Sequence, residues 1–377
     1  MSETSVDFEA EGLLEGLRGK ARDGRRRLLE ELAADGVPLS ELRQAVQEDR
    51  LTLLPVERVL TGGGPRFRPA EVAELSGVDR EFLDREWRAM GLALAGEDEA
   101  VYTERDVEAA RRVGALREAG LPEEGILEIA RLLGMTMSQL AAANRRLIAD
   151  ALLRPGDTEY DAATRFAAAA QGFAPMLGEA LSYAFNLHLR EQLRHESIDV
   201  AAVSAGGGGS AEEVCVCFAD LVGFTRLGER LPVEELGAVT GRLAELAGSV
   251  AAPPVRLVKL IGDAAMLAGA DPTAVLDAGL ALVEASEAEG EGFPLLRAGI
   301  ASGPAVTRGG DYYGRPVNLA SRITDVARPG SVLASEAVRD AVGDNGYRWS
   351  YARARHLKGI EGNVRLFRCR RAGADAD

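Results

Sequence analysis

The sequence predicts a two-domain α/β chain: an all-α domain over residues 1–200, then an α+β domain over 212–370 whose sheet is mostly antiparallel. Three observations predict it. Through the first half, apolar residues recur at three- and four-residue spacing, the period of a helix with one buried stripe. From Glu212 onward, short runs rich in Val, Cys, Ile and Leu alternate with helical segments, in the order strand, helix, hairpin, helix, strand, helix and further short strands. Between the two regimes lies a linker at 201–211 containing GGGGS at 206–210, which lacks the ending of a phosphate-binding loop and opens no helix.

Composition narrows the class further. Hydrophobic residues make up 46% and charged residues 27% of the 377 positions, the balance of a folded chain able to bury two cores. A formal net charge of -15 argues against broad non-specific binding to nucleic acid or to an anionic membrane. The three cysteines fit a reducing compartment, and Cys215 and Cys217, on one face of a strand, are expected to be buried as small hydrophobes. The N-terminus, MSETSVDFEAEG, carries no basic and apolar secretory pattern, and no run of about 18 apolar residues occurs, so no transmembrane segment is expected. The expected compartment is the cytoplasm.

In order along the chain, Phe8 to Val59 reads as helices with apolar positions at Leu13, Leu14, Leu17, Leu28, Leu29, Leu32, Leu42 and Val46, broken at Gly36-Val37-Pro38, with Ser40 a cap for the segment after the break. Thr61 to Pro65 is a loop. Residues 69–92 read as two short helices around a turn at Ser76-Gly77-Val78. With the following Tyr102 to Asp106 segment, this helix-turn-helix shape resembles the DNA-binding region of the MerR-like regulators. Its second helix sets Asp79, Glu81, Asp84 and Glu86 against Arg80, Arg85 and Arg88, a poor surface for phosphates, so a packing or regulatory role is expected and no nucleic-acid partner. Met135 to Leu153 and Thr158 to Arg194 read as further helices, the second interrupted near Pro175. Phe166, Phe173, Met176, Leu177, Tyr183, Leu187 and Leu193 supply an apolar surface expected to pack on the rest of the domain or on a second copy. His188 and His195 lie two helical turns apart; they are ordinary surface histidines or, alternatively, groups whose charge change near neutral pH shifts this helix.

In the C-terminal domain, EEVCVCFADLVGFT at 212–225 and VRLVKLIGDAAML at 255–267 each deliver a carboxylate, Asp220 and Asp263, to the end of an apolar strand. A carboxylate there must be hydrated, paired or bound to metal. With its turn near Ile261-Gly262-Asp263, the second segment is a hairpin that can stand Asp263 beside Asp220. Two oxygen ligands with open positions beyond them suit Mg²⁺ or Mn²⁺ together with substrate phosphates. Where the first strand hands over to helix at Leu221 to Thr225, backbone N–H groups are natural phosphate partners. Arg308 to Arg322 begins in a Gly-rich loop and enters a helix at Pro316, which puts Asn318 and Arg322 on one helical face, suited to ribose and phosphoryl oxygens. A tail at 371–377 is expected to be disordered.

Four stretches in order, FADLVGFT at 218–225, KLIGDAAML at 259–267, DYYGRPVNLASR at 311–322 and LKGIEGNVRLF at 357–367, resemble the catalytic domain of the class III adenylate and guanylate cyclases. The N-terminal region resembles the helical regulatory domain of actinobacterial, pH-regulated adenylate cyclases. The resemblance implies a ferredoxin-like, palm-like catalytic fold in which Asp220, Asp263 and the backbone carbonyl of Leu221 hold two metal ions per active site. It implies that Lys259 and Asp311 select adenine, with Phe224 and Thr225 also at the substrate, that Asn318 orients the ribose and that Arg322 stabilises the phosphoryl charge. It further implies ATP as substrate, cyclic AMP and pyrophosphate as products, and a homodimer whose head-to-tail domains share each site. Guanine-specific relatives often carry Glu and Cys where this chain has Lys259 and Asp311.

Other readings remain: a guanylate cyclase, or a non-catalytic nucleotide-sensing, DNA-binding regulator. Gly309-Gly310-Asp311 is half of the GGDEF motif of diguanylate cyclases, but Tyr312-Tyr313 replaces its ending.

Overall fold

The computed structural model describes residues 6–62, 64–195, 211–290 and 292–373. The chain divides into two compact units, 1–192 and 193–377. The linker expected at 201–211 lies outside the described residues except for its last position.

The first unit is all helical. Helices α1 (Gly19–Ala34), α2 (Leu39–Gln47) and α3 (Leu54–Thr61) close a small core with Phe8, Leu13, Leu29 and Leu42, joined by Ala163 of the long helix α8 (Glu159–His195). Arg25 fastens α8 to α1 through a double hydrogen bond to Glu159, at 2.6 and 2.5 Å. Ser40 is not a cap: α2 starts one residue earlier, and Pro38, whose fixed φ suits a helix entry, precedes it. A second core forms where α4 (Pro69–Ser76), α5 (Arg80–Ala89) and α6 (Glu104–Glu118) meet the first turns of α7 (Glu123–Leu152), around Val72, Phe82, Leu83, Trp87, Val107 and Ile126. Residues 69–89 are thus the two expected short helices, and Phe67 and Tyr102 pair as an isolated antiparallel bridge beside them.

Two expectations for the long helices are corrected. Residues 123–152 form a single helix, so Met135 starts nothing. Helix α8 runs through Pro175 without interruption. The proline forfeits one backbone hydrogen bond, and the preceding alanine run at 167–170, the strongest helix former, carries the helix across. Much of the apolar surface of α7 and α8 is left uncovered: Phe166, Leu177 and Leu187 are half-buried, whereas Ile129, Met135, Leu147, Phe173, Met176, Tyr183 and Leu193 are all more than half exposed. By length and composition alone α7 is also long and apolar enough to cross a membrane, a property the residue reading did not register. Ile126, Leu127 and Ala130 of its first turns are buried against protein, while only 17% of its apolar 18-residue window is buried.

The second unit is an α+β fold. Strands β1 (Glu212–Leu221), β2 (Arg256–Ile261), β3 (Ala264–Gly269), β4 (Leu296–Arg308), β6 (Ser331–Ser335), β7 (Tyr347–His356) and β8 (Asn363–Arg371) lie in the order β2-β3-β1-β4-β6-β8-β7, and β5 (Asp311–Tyr313) pairs with the end of β4. Every pairing is antiparallel except β4 with β6. Odd positions of β1, Cys215, Cys217 and Ala219, face a core made with α10 (Val233–Val250) and α11 (Pro272–Ala288); even positions, Val214, Val216 and Phe218, face α12 (Arg315–Val326). All three cysteines are free and buried, and burial pushes the Cys217 thiol up to about 12. Arg371, expected in the tail, instead closes β8, and residues 374–377 of that tail lie outside the described residues. The Gly-rich segment after Arg308 is a tight hairpin, Gly309 and Gly310 taking φ of 61° and 75°, and it places Asp311 on a strand.

Candidate active site

Alternation in β1 carries Asp220 to the α12 face, and its strand neighbours on that face are Ala264 of β3 and Arg297 of β4. The Leu221 N–H donates to the Asp263 carbonyl at 3.0 Å, which closes the strand end and sets the two aspartates side by side. Asp220 is half-buried. Burial pushes its carboxyl above the usual range, hydrogen bonds from Arg297 pull it back, and the nearby Asp263 charge pushes it up again. A second negative charge against a half-buried carboxylate is the electrostatic defect that a divalent cation relieves. The chemistry of the adjacent Asp220 and Asp263 carboxylates fits an all-oxygen ion such as Mg²⁺ or Mn²⁺, although no group of three or more His, Cys, Asp or Glu gathers to hold one among the described residues.

Arg297 escaped the residue reading. Its Nε and Nη2 donate to Asp220 Oδ2 at 3.0 and 2.6 Å, and its Nη1 donates to the Asp325 carbonyl at 3.0 Å. No local pattern announces an arginine 77 residues from its carboxylate; a cation in the middle of an apolar strand, LLRAGIA, was the available signal.

Lys259 and Asp311 are ion-paired within one chain, Nζ to Oδ2. A bulge makes this possible. The register of β2 on β3 slips between Leu257 and Lys259, so Arg256 and Lys259 stand opposite Ala268 and Met266, which both belong to the α12-side core. Without the extra residue, Lys259 would alternate onto the face of α10 and α11. The bulge turns Lys259 toward Asp311, whose other oxygen accepts the Tyr312 N–H at 2.9 Å.

Asn318 and Arg322 share the exposed face of α12, while Leu319, Ala320 and Ile323 bury the opposite face against their own sheet. The Arg322 side chain meets Asp325 at 3.1 Å. Phe224 and Thr225 open the short helix α9 (Phe224–Gly228), entered through Gly223 at φ 78°; Phe224 packs half-buried on the α10 and α11 side, and Thr225 is exposed. His188 is exposed on α8 in the other unit, and the side chain of His195 lies outside the described residues.

In the helix-turn-helix segment two of the three arginines are already engaged, Arg80 by Asp84 at 2.6 Å and Arg85 by Glu123 at 3.1 Å, while Arg88 is exposed; Arg117 of the adjoining α6 meets Asp79 and Glu123 at 2.6 Å each.

Residues 6–193 match the family model of the adenylate cyclase regulatory domain, and residues 209–369 match that of the adenylate and guanylate cyclase catalytic domain. The chain belongs to the class III nucleotidyl cyclases. This cyclase is 42% identical over 371 residues to a pH-sensitive adenylate cyclase of Mycobacterium tuberculosis (strain CDC 1551 / Oshkosh), covering 97% of the present chain and 92% of the other. Adenylate cyclases of Streptomyces coelicolor and Streptomyces griseus are 38% and 35% identical, covering 77% and 82% of this cyclase and 75% and 77% of their own lengths. Identity at this level to adenylate cyclases supports catalytic, lyase activity in the C-terminal domain.

Proposed function

We propose that the cyclase converts ATP to 3′,5′-cyclic AMP and pyrophosphate at two equivalent sites, each shared between the catalytic domains of a head-to-tail homodimer. The observation that carries this reading is the division of the polar set. Asp220 and Asp263 are held together at one strand end, whereas Asn318 and Arg322 point to solvent from the outer face of α12. Side chains turned away from their own sheet are available to a neighbouring copy. The exposed apolar faces of α7 and α8 also favour a dimer.

In this mechanism Asp220, Asp263 and the Leu221 carbonyl would hold divalent ions, two per site, whose Lewis-acid charge would activate the 3′-hydroxyl and offset the charge on the phosphoryl group. Asp220 and Asp263 hold that charge at the end of β1. Across the dimer, Lys259 donates to and Asp311 accepts from the adenine edge, which keeps the purine from rotating. Asn318 hydrogen-bonds the ribose and fixes the 3′-oxygen toward phosphorus. Arg322 faces the phosphoryl oxygens as pyrophosphate departs. Nucleophile and electrophile already share one molecule, so alignment is most of the work.

The N-terminal unit is read as a regulator of this pairing. Protons are the favoured signal because the 42%-identical relative is pH-sensitive; His188 and His195 are the candidate groups. Arginines already engaged by carboxylates argue against a nucleic-acid partner. The expected setting is the cytoplasm.

The test is turnover by purified full-length protein with Mn²⁺ and ATP or GTP, using Asp220→Ala, Lys259→Ala and their equal mixture. Each variant alone should be silent. Random reassociation gives one intact site in every heterodimer, so the mixture should regain about a quarter of wild-type activity. A mixture as silent as its components would refute shared sites, and cyclisation of GTP in preference to ATP would make the enzyme a guanylate cyclase.

A further inference from the structure

The Lys259–Asp311 pair is poorly held by its own strands. Asp311 begins a three-residue strand, β5, whose partner is the outlying end of β4, and Lys259 follows the bulge in β2. The side chains remain 37% and 24% exposed. An ion pair this wet is weak and cannot by itself fix a donor and an acceptor at purine-edge spacing.

A second contact spans the same gap. Arg256 Nη2 donates to the Tyr312 phenol oxygen at 2.5 Å, and its guanidinium carbon lies 5.5 Å from the centroid of the same ring. The Tyr312 ring packs half-buried against the α12-side core, and its backbone N–H holds Asp311 Oδ1. Because of the bulge, Arg256 and Lys259 leave β2 on one face, so β2 and β5 are joined twice, by Arg256–Tyr312 and by Lys259–Asp311.

We propose that Arg256 and Tyr312 are positioning residues for base selection: their contact holds β5 against the bulged β2 and so sets the spacing at which Lys259 and Asp311 read the purine. This inference rests on the adenylate cyclase reading above. Neither side chain need touch the nucleotide. Their loss should therefore weaken and blur purine recognition while leaving the phosphoryl chemistry of a bound nucleotide largely intact.

The experiment compares full-length wild type, Tyr312→Phe, Arg256→Ala and Arg256→Lys by two readouts. One is kcat and KM for ATP and for GTP with Mn²⁺. The other is equilibrium binding of 3′-deoxy-ATP and 3′-deoxy-GTP, which lack the attacking hydroxyl and so report recognition without turnover. Loss of one charge-assisted hydrogen bond and its ring contact predicts that R256A raises KM for ATP about 3- to 10-fold and lowers the ATP-over-GTP binding preference by a similar factor, with kcat within about twofold of wild type. Y312F keeps the ring and should fall between, and R256K should recover part of the preference by keeping a cation over the ring. A general packing defect would instead lower kcat for both nucleotides and leave their ratio unchanged, and that result would overturn the proposal. A wild type that binds the adenine analogue selectively but forms no cyclic AMP would refute the catalytic reading, while the binding ratios of the variants still decide this one. A wild type with no purine preference in binding refutes both.

Discussion

Replacing Arg297 by Gln tests the electrostatic design of the candidate metal site. In the absence of divalent ions this guanidinium is the counter-charge of Asp220, through two hydrogen bonds to one carboxylate oxygen, and it also ties β4 to the Asp325 carbonyl of α12. The side chains are 27% and 20% exposed, between a surface pair worth roughly 0–1 kcal/mol and a fully buried pair whose breakage costs about 3–5 kcal/mol. Glutamine should therefore cost about 2 kcal/mol in metal-free protein, which for a unit of this size is a fall of roughly 4–8 °C in the Tm of the catalytic unit. Differential scanning calorimetry in chelator, then in saturating Mn²⁺, measures it, with Asp220→Asn and the double variant completing a cycle. The loss should shrink when Mn²⁺ supplies positive charge and should nearly vanish in the D220N background, leaving the contribution of the Asp325 contact. A metal-free Tm within about a degree of wild type, or a loss of equal size in the D220N background, would refute the assignment of Arg297 as the charge partner of Asp220.

Two other perturbations follow from contacts elsewhere. At Gly299 of β4 an added Cβ would lie 2.3 Å from the Thr324 N and 2.6 Å from the Ala320 carbonyl, so Gly299→Ala must lift α12, with Asn318 and Arg322, off the sheet. A displacement near 1 Å predicts a loss of about 100-fold in cyclase turnover with the circular dichroism of a folded protein retained, and wild-type turnover would sink the argument. Glu86 is 7% exposed in the core of the helix-turn-helix segment, without an ion-pair or hydrogen-bond partner for its carboxylate among the described residues, and burial raises its carboxyl above the usual range. The folded state thus holds this proton to higher pH than the unfolded chain, so the site destabilises progressively as pH rises from the unfolded carboxyl range through the folded value, and the cost is complete above it. Glu86→Gln should raise Tm near neutral pH and lose that advantage in acid; a Tm difference independent of pH would remove Glu86 from the account.

Legibility tracked the distance over which each feature is determined. Asp220 and Asp263 could be read because the apolar alternation on either side makes each carboxylate conspicuous, and the turn at Gly262 marks a hairpin; the antiparallel pairing of β1 with β3 is what sets them side by side. The pairing of Asn318 with Arg322 on one helical face needed only the helix period and a proline at the helix start. Continuity of α8 through Pro175 was misjudged because a proline's local cost was weighed without the long flanking helix that absorbs it. The Gly309-Gly310 hairpin reads as a loop in sequence because β5 is three residues long, too short for any alternation to register.

By itself the sequence determined the family and the division into a helical unit and an α+β unit, and it nominated the candidate polar residues, since each of these rests on local periodicity or on motifs of contiguous residues. Only the tertiary structure decided how those residues are aimed. The bulge that turns Lys259 toward Asp311, the Arg297 bridge across 77 residues to Asp220, and the outward face of α12 all depend on which strand lies beside which. Strand neighbours in this sheet are set by the burial of both faces at once, so no window of the chain contains that information.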